Sequence, residues 1–251
     1  MVLARLAAVA IIAGLAAACA STDEPPLPAQ AVAAAPAVSV PAERWRAVLV
    51  AGDNSSPAFD NGIDTLRDRF AALGVRNIAL LSASPARTGR LSSARNVEGA
   101  VGAGGGEACF VYLTSHGDEH GFYLRADRRT LSPAALDQAL AQGCGERPTV
   151  LVVSACHSGT FINEQTRRPN RIILAAAATD RTSFGCGADD DYTYYDQCFL
   201  QQLDAESTWR ELAQATRGCV QTLERRLGVH RESRPQLFVG TAVANLRLPG
   251  R

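Results

Sequence analysis

The 251-residue chain contains no lysine; its 25 basic residues are all arginine and balance 25 aspartates and glutamates. Without lysine, neither a Walker-type phosphate loop nor a Schiff-base nucleophile can be assembled. Zero net charge leaves no basic excess to draw in a nucleic-acid backbone, so no nucleic-acid partner is expected. No C-x-x-C pair occurs, which removes the usual zinc spacing, and no G-x-S-x-G elbow marks a serine hydrolase. Neither a metal nor a cofactor is therefore expected. Long apolar runs are missing too: the stretch Leu6 to Ala18 is too short to be a comfortable membrane span. What is present, 47% hydrophobic residues, suffices to bury one sizeable core, and one domain is the expectation.

That short apolar stretch follows Arg5 and ends in Leu15-Ala16-Ala17-Ala18-Cys19. A basic start, an apolar run and small residues before a cysteine resemble a bacterial lipoprotein signal. Residues 1–19 then form the signal segment, and Cys19 carries the lipid that anchors the chain to the membrane. The expected location is the bacterial cell envelope, with Ala20 favouring the outer membrane and a periplasm-facing domain. Residues 20–42 are rich in alanine and proline and read as an extended tether. The folded domain is expected over 43–251.

Six further cysteines follow Cys19: Cys109, Cys144, Cys156, Cys186, Cys198 and Cys219. An oxidising compartment permits disulfides, and if Cys156 is a reactive thiol an odd number remains, so one more stays free. Their pairing is not readable from spacing.

Apolar runs alternate with amphipathic stretches. Strands are expected over 46–51, 77–81, 108–114, 149–154, 171–178 and 236–240. Helices are expected over 62–73, 94–101, 132–142, 194–203 and 208–227, with Ser132-Pro133 as an N-cap followed by a first-turn proline. Continuous apolar strands separated by helices imply an α/β fold: a mainly parallel six-stranded sheet with helices on both faces. The cluster Gly102 to Gly106 lacks the strand-before, helix-after setting of a dinucleotide site and reads as a linker.

Ligands of such sheets bind beyond the carboxyl ends of the strands. Two of those ends carry chemistry: Ser115-His116-Gly117-Asp118 and Ala155-Cys156-His157-Ser158-Gly159. A right-handed crossover between them brings both to one rim. There an imidazole can take the thiol proton and later return one to a leaving amine. Gly117 lets its N–H face a reacting carbonyl and, with the Cys156 N–H, forms an oxyanion hole. His120 stands four residues after His116, but Gly117 and Gly121 make that segment a loop rather than a metal-binding helix. Asp189-Asp190-Asp191 reads as a solvated loop.

A strand ending in T-S-H-G followed by one ending in S-A-C-x-S-G resembles the legumain-like cysteine peptidases. The likeness extends through Ala175–Ala178, Asp180-Arg181-Thr182-Ser183-Phe184 and Tyr192-Thr193-Tyr194-Tyr195. It implies a three-layer caspase-like fold, a polypeptide substrate, and an acyl-enzyme formed by Cys156 as nucleophile with His116 as acid/base. It also implies a specificity pocket lined by Ser183, with Asp190 or an adjacent aspartate. Legumain reads asparagine through an arginine after its first strand. Here that segment is Phe59-Asp60-Asn61-Gly62, and Asp60 stands in its place, so a basic side chain becomes the expected preference. The same dyad serves a transpeptidase, and an inactive envelope binding module keeps the same fold; the oligomeric state is not legible.

Overall fold

The computed structural model describes residues 37–251. Cys19, the signal segment and most of the tether lie outside the described residues. Strand β1 (Trp45–Ala51) leads to helix α1 (Pro57–Ala72), strand β2 (Asn77–Ser82), a short helix α2 (Pro85–Thr88) and helix α3 (Ala94–Gly102). Strand β3 (Ala108–Thr114) is followed by three short strands, β4 (Gly117–Asp118), β5 (Gly121–Leu124) and β6 (Arg129–Leu131). Then come α4 (Pro133–Gly143), β7 (Thr149–Ser154), β8 (Arg171–Ala175), α5 (Tyr194–Leu203), α6 (Trp209–Arg226) and β9 (Gln236–Val239).

The main sheet has the order β2-β1-β3-β7-β8-β9, parallel except for β9, which pairs antiparallel with β8 at one edge. Alternation along the strands supplies both faces. Ala47, Leu49, Phe110, Tyr112, Val152 and Leu174 join α1, α5 and α6 in one core. Val48, Val50, Val111, Leu113, Val153 and Ile173 join α3 and α4 in the other. The expected three-layer α/β fold is the one observed.

Some boundaries move, each for a local reason. Helix α1 starts five residues before the expected position: the Ser56 hydroxyl caps Ala58 N–H and Pro57 fills the first helical position. Phe59-Asp60-Asn61-Gly62 is therefore helix rather than loop. Gly62 is tolerated inside it because a Cβ there would approach Asp196 Oδ2 to 3.2 Å. Strand β8 stops at Ala175 rather than Ala178, because Ala177 O accepts from Gly159 and Ala178 N–H bonds Ser233 O. The segment after His116 is a small antiparallel sheet rather than a loop. Asp118 Oδ1 accepts from His120 and Gly121 N–H to turn its first hairpin, and Phe122 and Leu124 enter the core. The tether ends sooner than composition suggests. Val38 exchanges backbone bonds with Asn245 and Arg247, and Val38 and Val40 pack on the first core.

Disulfides Cys109–Cys144 and Cys198–Cys219 tie β3 to the end of α4 and α5 to α6. Closing the second loop, 21 residues apart, contributes about 3 kcal/mol. Cys156 and Cys186 remain free, as the odd count requires. No helix among the described residues is long and apolar enough to cross a membrane.

Candidate active site

Strands β3 and β7 are neighbours, and Thr114 pairs with Ser154. His116 and Cys156 therefore each stand two residues beyond the same rung. Ser115 N–H bonds Ser154 O at 3.1 Å, carrying the contact past the strand ends. At Gly117 the two loops are so close that a Cβ would sit 2.6 Å from the Cys156 carbonyl oxygen and 3.0 Å from Ala155 Cβ. Only glycine fits there. His116, Gly117 and Cys156 thus stand on neighbouring strand ends at one rim.

The sulfur faces a third segment. Ser183 N–H approaches Cys156 Sγ at 3.3 Å, and Ser183 O lies 3.7 Å from it. His157, next to the cysteine, has left-handed backbone (φ 56°). Its N–H bonds Arg181 O at 2.7 Å, and its Nδ1 donates to Thr179 O at 2.8 Å. That side chain clamps the turn carrying Cys156 to the segment carrying Ser183. The left-handed turn is the strained point that aims Cys156 off the end of β7.

His116 is held from three sides. Phe59 of α1 meets its ring edge-on, with centroids 5.2 Å apart. Its carbonyl accepts from Tyr123 N–H at 3.0 Å, so the small sheet supports it. Its Nε2 lies 3.2 Å from Ser55 Oγ, on the loop after β1. Behind Ser55 stands Asp53, 2% exposed, accepting Ser55 N–H at 2.5 Å and facing Arg125 Nη1 at 3.6 Å. Burial alone would push the Asp53 carboxyl up; bonds from Ser55 and the charges of His116 and Arg125 hold it below the ordinary carboxylate range.

Residues 88–225, more than half of the sequence, match the Peptidase C13 family. The chain belongs to that family. Membership carries cysteine peptidase chemistry on a polypeptide substrate. No curated protein sequence matches the chain. Its fold resembles the crystal structure of caspase-1 from Spodoptera frugiperda, with a TM-score of 0.57 at 12% identity, covering 82% of this chain and 91% of that one.

The remaining site residues of this C13 peptidase fall in different surroundings. Asp60 is 5% exposed, accepts the Ser82 hydroxyl at 2.6 Å and has Arg87 Nε at 3.9 Å. Burial raises its carboxyl above the ordinary value against the pull of Ser82 and Arg87. Asp190 is partly exposed and accepts Gly187 N–H at 2.7 Å, in a loop that the Ser56 hydroxyl holds through Gly187 O. Between Ser183 and Asp190 lies Cys186. Burial pushes its thiol up, as do Cys156 and Asp190 nearby, so it stays protonated beside Cys156. A cavity of about 450 Å³ lies behind this loop, lined by Thr65, Asp189, Asp190, Asp191, Tyr192 and Tyr194 among others. Cys156 itself is not among the residues that line this cavity.

Sequence reading missed Asp53, Ser55 and Asp196. Asp196 is fully buried beneath the rim and accepts Tyr112 OH at 2.5 Å and Thr114 Oγ1 at 2.7 Å. It ties α5 to the end of β3, and burial raises its carboxyl. The only signal was position: an aspartate in the first turn of a helix reads as a dipole partner. For Ser55 and Asp53 the signal was the loop after β1, which opens on the same rim.

Proposed function

We propose that the protein is a cysteine endopeptidase acting through Cys156 and His116. The observation that carries this reading is the shared rung of β3 and β7, with Gly117 pressed against the Cys156 carbonyl. His116 takes the Cys156 proton as the sulfur attacks the scissile carbonyl carbon. The negative charge passes to the carbonyl oxygen, where the Gly117 and Cys156 N–H groups stabilise it. Collapse breaks the C–N bond, the amine leaves with the proton from His116, and a thioester remains on Cys156. Water then gives a proton to His116 and attacks the thioester, and the peptide acid departs as the thiol is restored. In the tautomer whose Nε2–H is donated to Ser55 Oγ, His116 Nδ1 is the proton-transferring atom, and Asp53 holds Ser55 in place.

Peptidyl acyloxymethyl ketones that differ only in the side chain before the warhead test this directly. With residues 37–251, the adduct is expected on Cys156, fastest with arginine, because Asp190 is the available carboxylate of the pocket. An adduct on Cys186, or none on folded protein, rejects the dyad; equal rates for arginine, asparagine and aspartate reject a charged pocket.

Ser55→Ala and Asp53→Asn test the support of the imidazole. Each is expected to lower kcat about tenfold with KM unchanged, because orientation of the acid/base is used in the reaction rather than in binding. Ser55→Thr, keeping the hydroxyl, restores most of it. A matching rise in KM places Ser55 in substrate binding instead.

The segment ending at Cys19 supports export and lipidation of that cysteine at the cell envelope. Mass spectrometry of the mature N-terminus is expected to find acyl chains on Cys19, and an unmodified N-terminus rejects the anchor.

A further inference from the structure

The glycine cluster that reads as a linker borders a basic groove that runs along edge strand β2 from the rim opposite Cys156. A cavity of about 500 Å³ lies there against β2, lined by Arg46, Asn77 and Arg90 among others. The arginines in and around it differ in charge balance. Arg67 and Arg87 are paired with Asp64, with Asp68 and Asp60 close by, and Arg44 is paired with Glu107. Arg46, Arg90 and Arg147 have no carboxylate partner among the described residues. Arg147 donates to the carbonyls of Gly143, Cys144 and Gly106, and Arg46 Nη2 donates to Ala100 O at 2.5 Å. Arg46 Nε is buried without an acceptor. The guanidinium of Arg46 is lowered first by burial and then by Arg90 and Arg147, as crowded cations should be.

The loop itself is shaped around that charge. Gly104, Gly105 and Gly106 all have positive φ, at 64°, 107° and 72°. The nearest atoms to a Cβ on Gly105 would be Asn77 Nδ2 at 3.6 Å, Arg46 Cδ at 3.7 Å and Arg46 Nη1 at 3.9 Å. Gly105 thus faces two donors, the Asn77 amide and the Arg46 guanidinium, at van der Waals distance. Gly105 and Gly106 N–H and the Asn77 amide find no acceptor among the described residues. Unpaired guanidinium, side-chain amide and glycine N–H groups are the donor set that holds a tetrahedral oxyanion.

We propose that the Gly104–Gly106 loop, with Arg46, Asn77 and Arg90, binds a phosphate group. Its place in the fold points to a lipid headgroup as the source. The chain runs into β1 at this rim, where Arg44 O accepts Glu107 N–H, while the parallel strands carry Cys156 and His116 to the opposite rim. A phosphate-bearing surface held here faces the catalytic rim outward.

The test uses residues 37–251, which contain both cores and lack Cys19, so that acylation contributes nothing. Binding is measured to vesicles of phosphatidylcholine alone or mixed with phosphatidylglycerol, and separately to inorganic phosphate. The domain is expected to bind only the anionic vesicles. Arg46→Gln with Arg90→Gln should weaken that binding roughly thirtyfold, given the usual contribution of each cation near an anionic surface. Asn77→Ala alone should weaken it severalfold, and all variants should keep wild-type peptide cleavage, since none of the three side chains contacts His116 or Cys156. Phosphate binding lost in the variants without vesicle binding upholds the site and assigns it a soluble phosphate ligand. Binding to neither probe, or equal binding by folded variants, overturns the proposal.

Discussion

Replacing Cys156 by alanine is expected to abolish peptide cleavage, a fall of about 10⁴-fold or more in kcat/KM, without moving the unfolding midpoint by more than a degree or two. The loss is large because the proposed acyl bond forms on the Cys156 sulfur. Cys186 is the other free thiol, but burial keeps it protonated, and it stands three residues beyond Ser183 rather than on the β7 rung. His116→Ala should fall by a comparable factor, since nucleophile and base act as a unit and their losses do not add. The double variant should therefore be little worse than either single one. Stability should hardly change, because both side chains are only partly buried and neither belongs to either core. Residual cleavage within about tenfold of wild type in Cys156→Ala, with contaminating peptidase excluded, would assign the chemistry to another residue.

The second large effect concerns Asp196, which lies out of a substrate's reach. Asp196→Ala should cost about 3–5 kcal/mol, because Tyr112 OH and Thr114 Oγ1 lose their acceptor in a place water does not reach. The same variant should lower activity, as the rung carrying His116 and Cys156 loosens. Its pH dependence has a definite sign. Burial raises the Asp196 carboxyl above its unfolded value of 3.8, so the folded state holds this proton more tightly than the unfolded chain does. The site's contribution is therefore full below pH 3.8 and is lost as pH rises through the higher folded value. Asp60 is raised by burial with the same sign, whereas Asp53, held low, contributes in the opposite sense. Denaturant melts of wild type and Asp196→Asn across acidic and neutral pH should show the asparagine variant losing less stability as pH rises. Parallel slopes would mean that Asp196 titrates alike in the folded and unfolded states.

Much of this was legible before any coordinates. The six strands follow from short apolar runs bounded by glycine, proline and polar residues, and burial on both faces makes those runs continuous rather than alternating. Ser132-Pro133 marked the start of α4 correctly, and the same two-residue signal at Ser56-Pro57 explains why α1 begins earlier than its apolar periodicity alone indicates. The pairing Cys198–Cys219 was not legible, because any of several partners satisfies the spacing and only the antiparallel approach of α5 and α6 selects one. The β4–β6 sheet was missed because two- to four-residue strands carry too few alternations to register as a pattern.

By itself the sequence determined which residues can do chemistry: a histidine and a cysteine at the ends of two apolar strands, each followed by a glycine where the chain must pass closely. It also determined that lysine chemistry is excluded, because the residue is absent. Tertiary structure decided which groups support that pair. Asp53 and Ser55 reach His116 because β1 lies beside β3 in the sheet, and Ser183 reaches the sulfur because the chain leaves β8 early and wraps past Gly159. It also buried Asp60 as an acceptor for Ser82, and set the glycine cluster against Arg46 and Asn77. The physical reason is the same in each case. Identity and spacing are local properties of a chain, whereas the desolvation and charge that a side chain meets are set by residues distant in sequence.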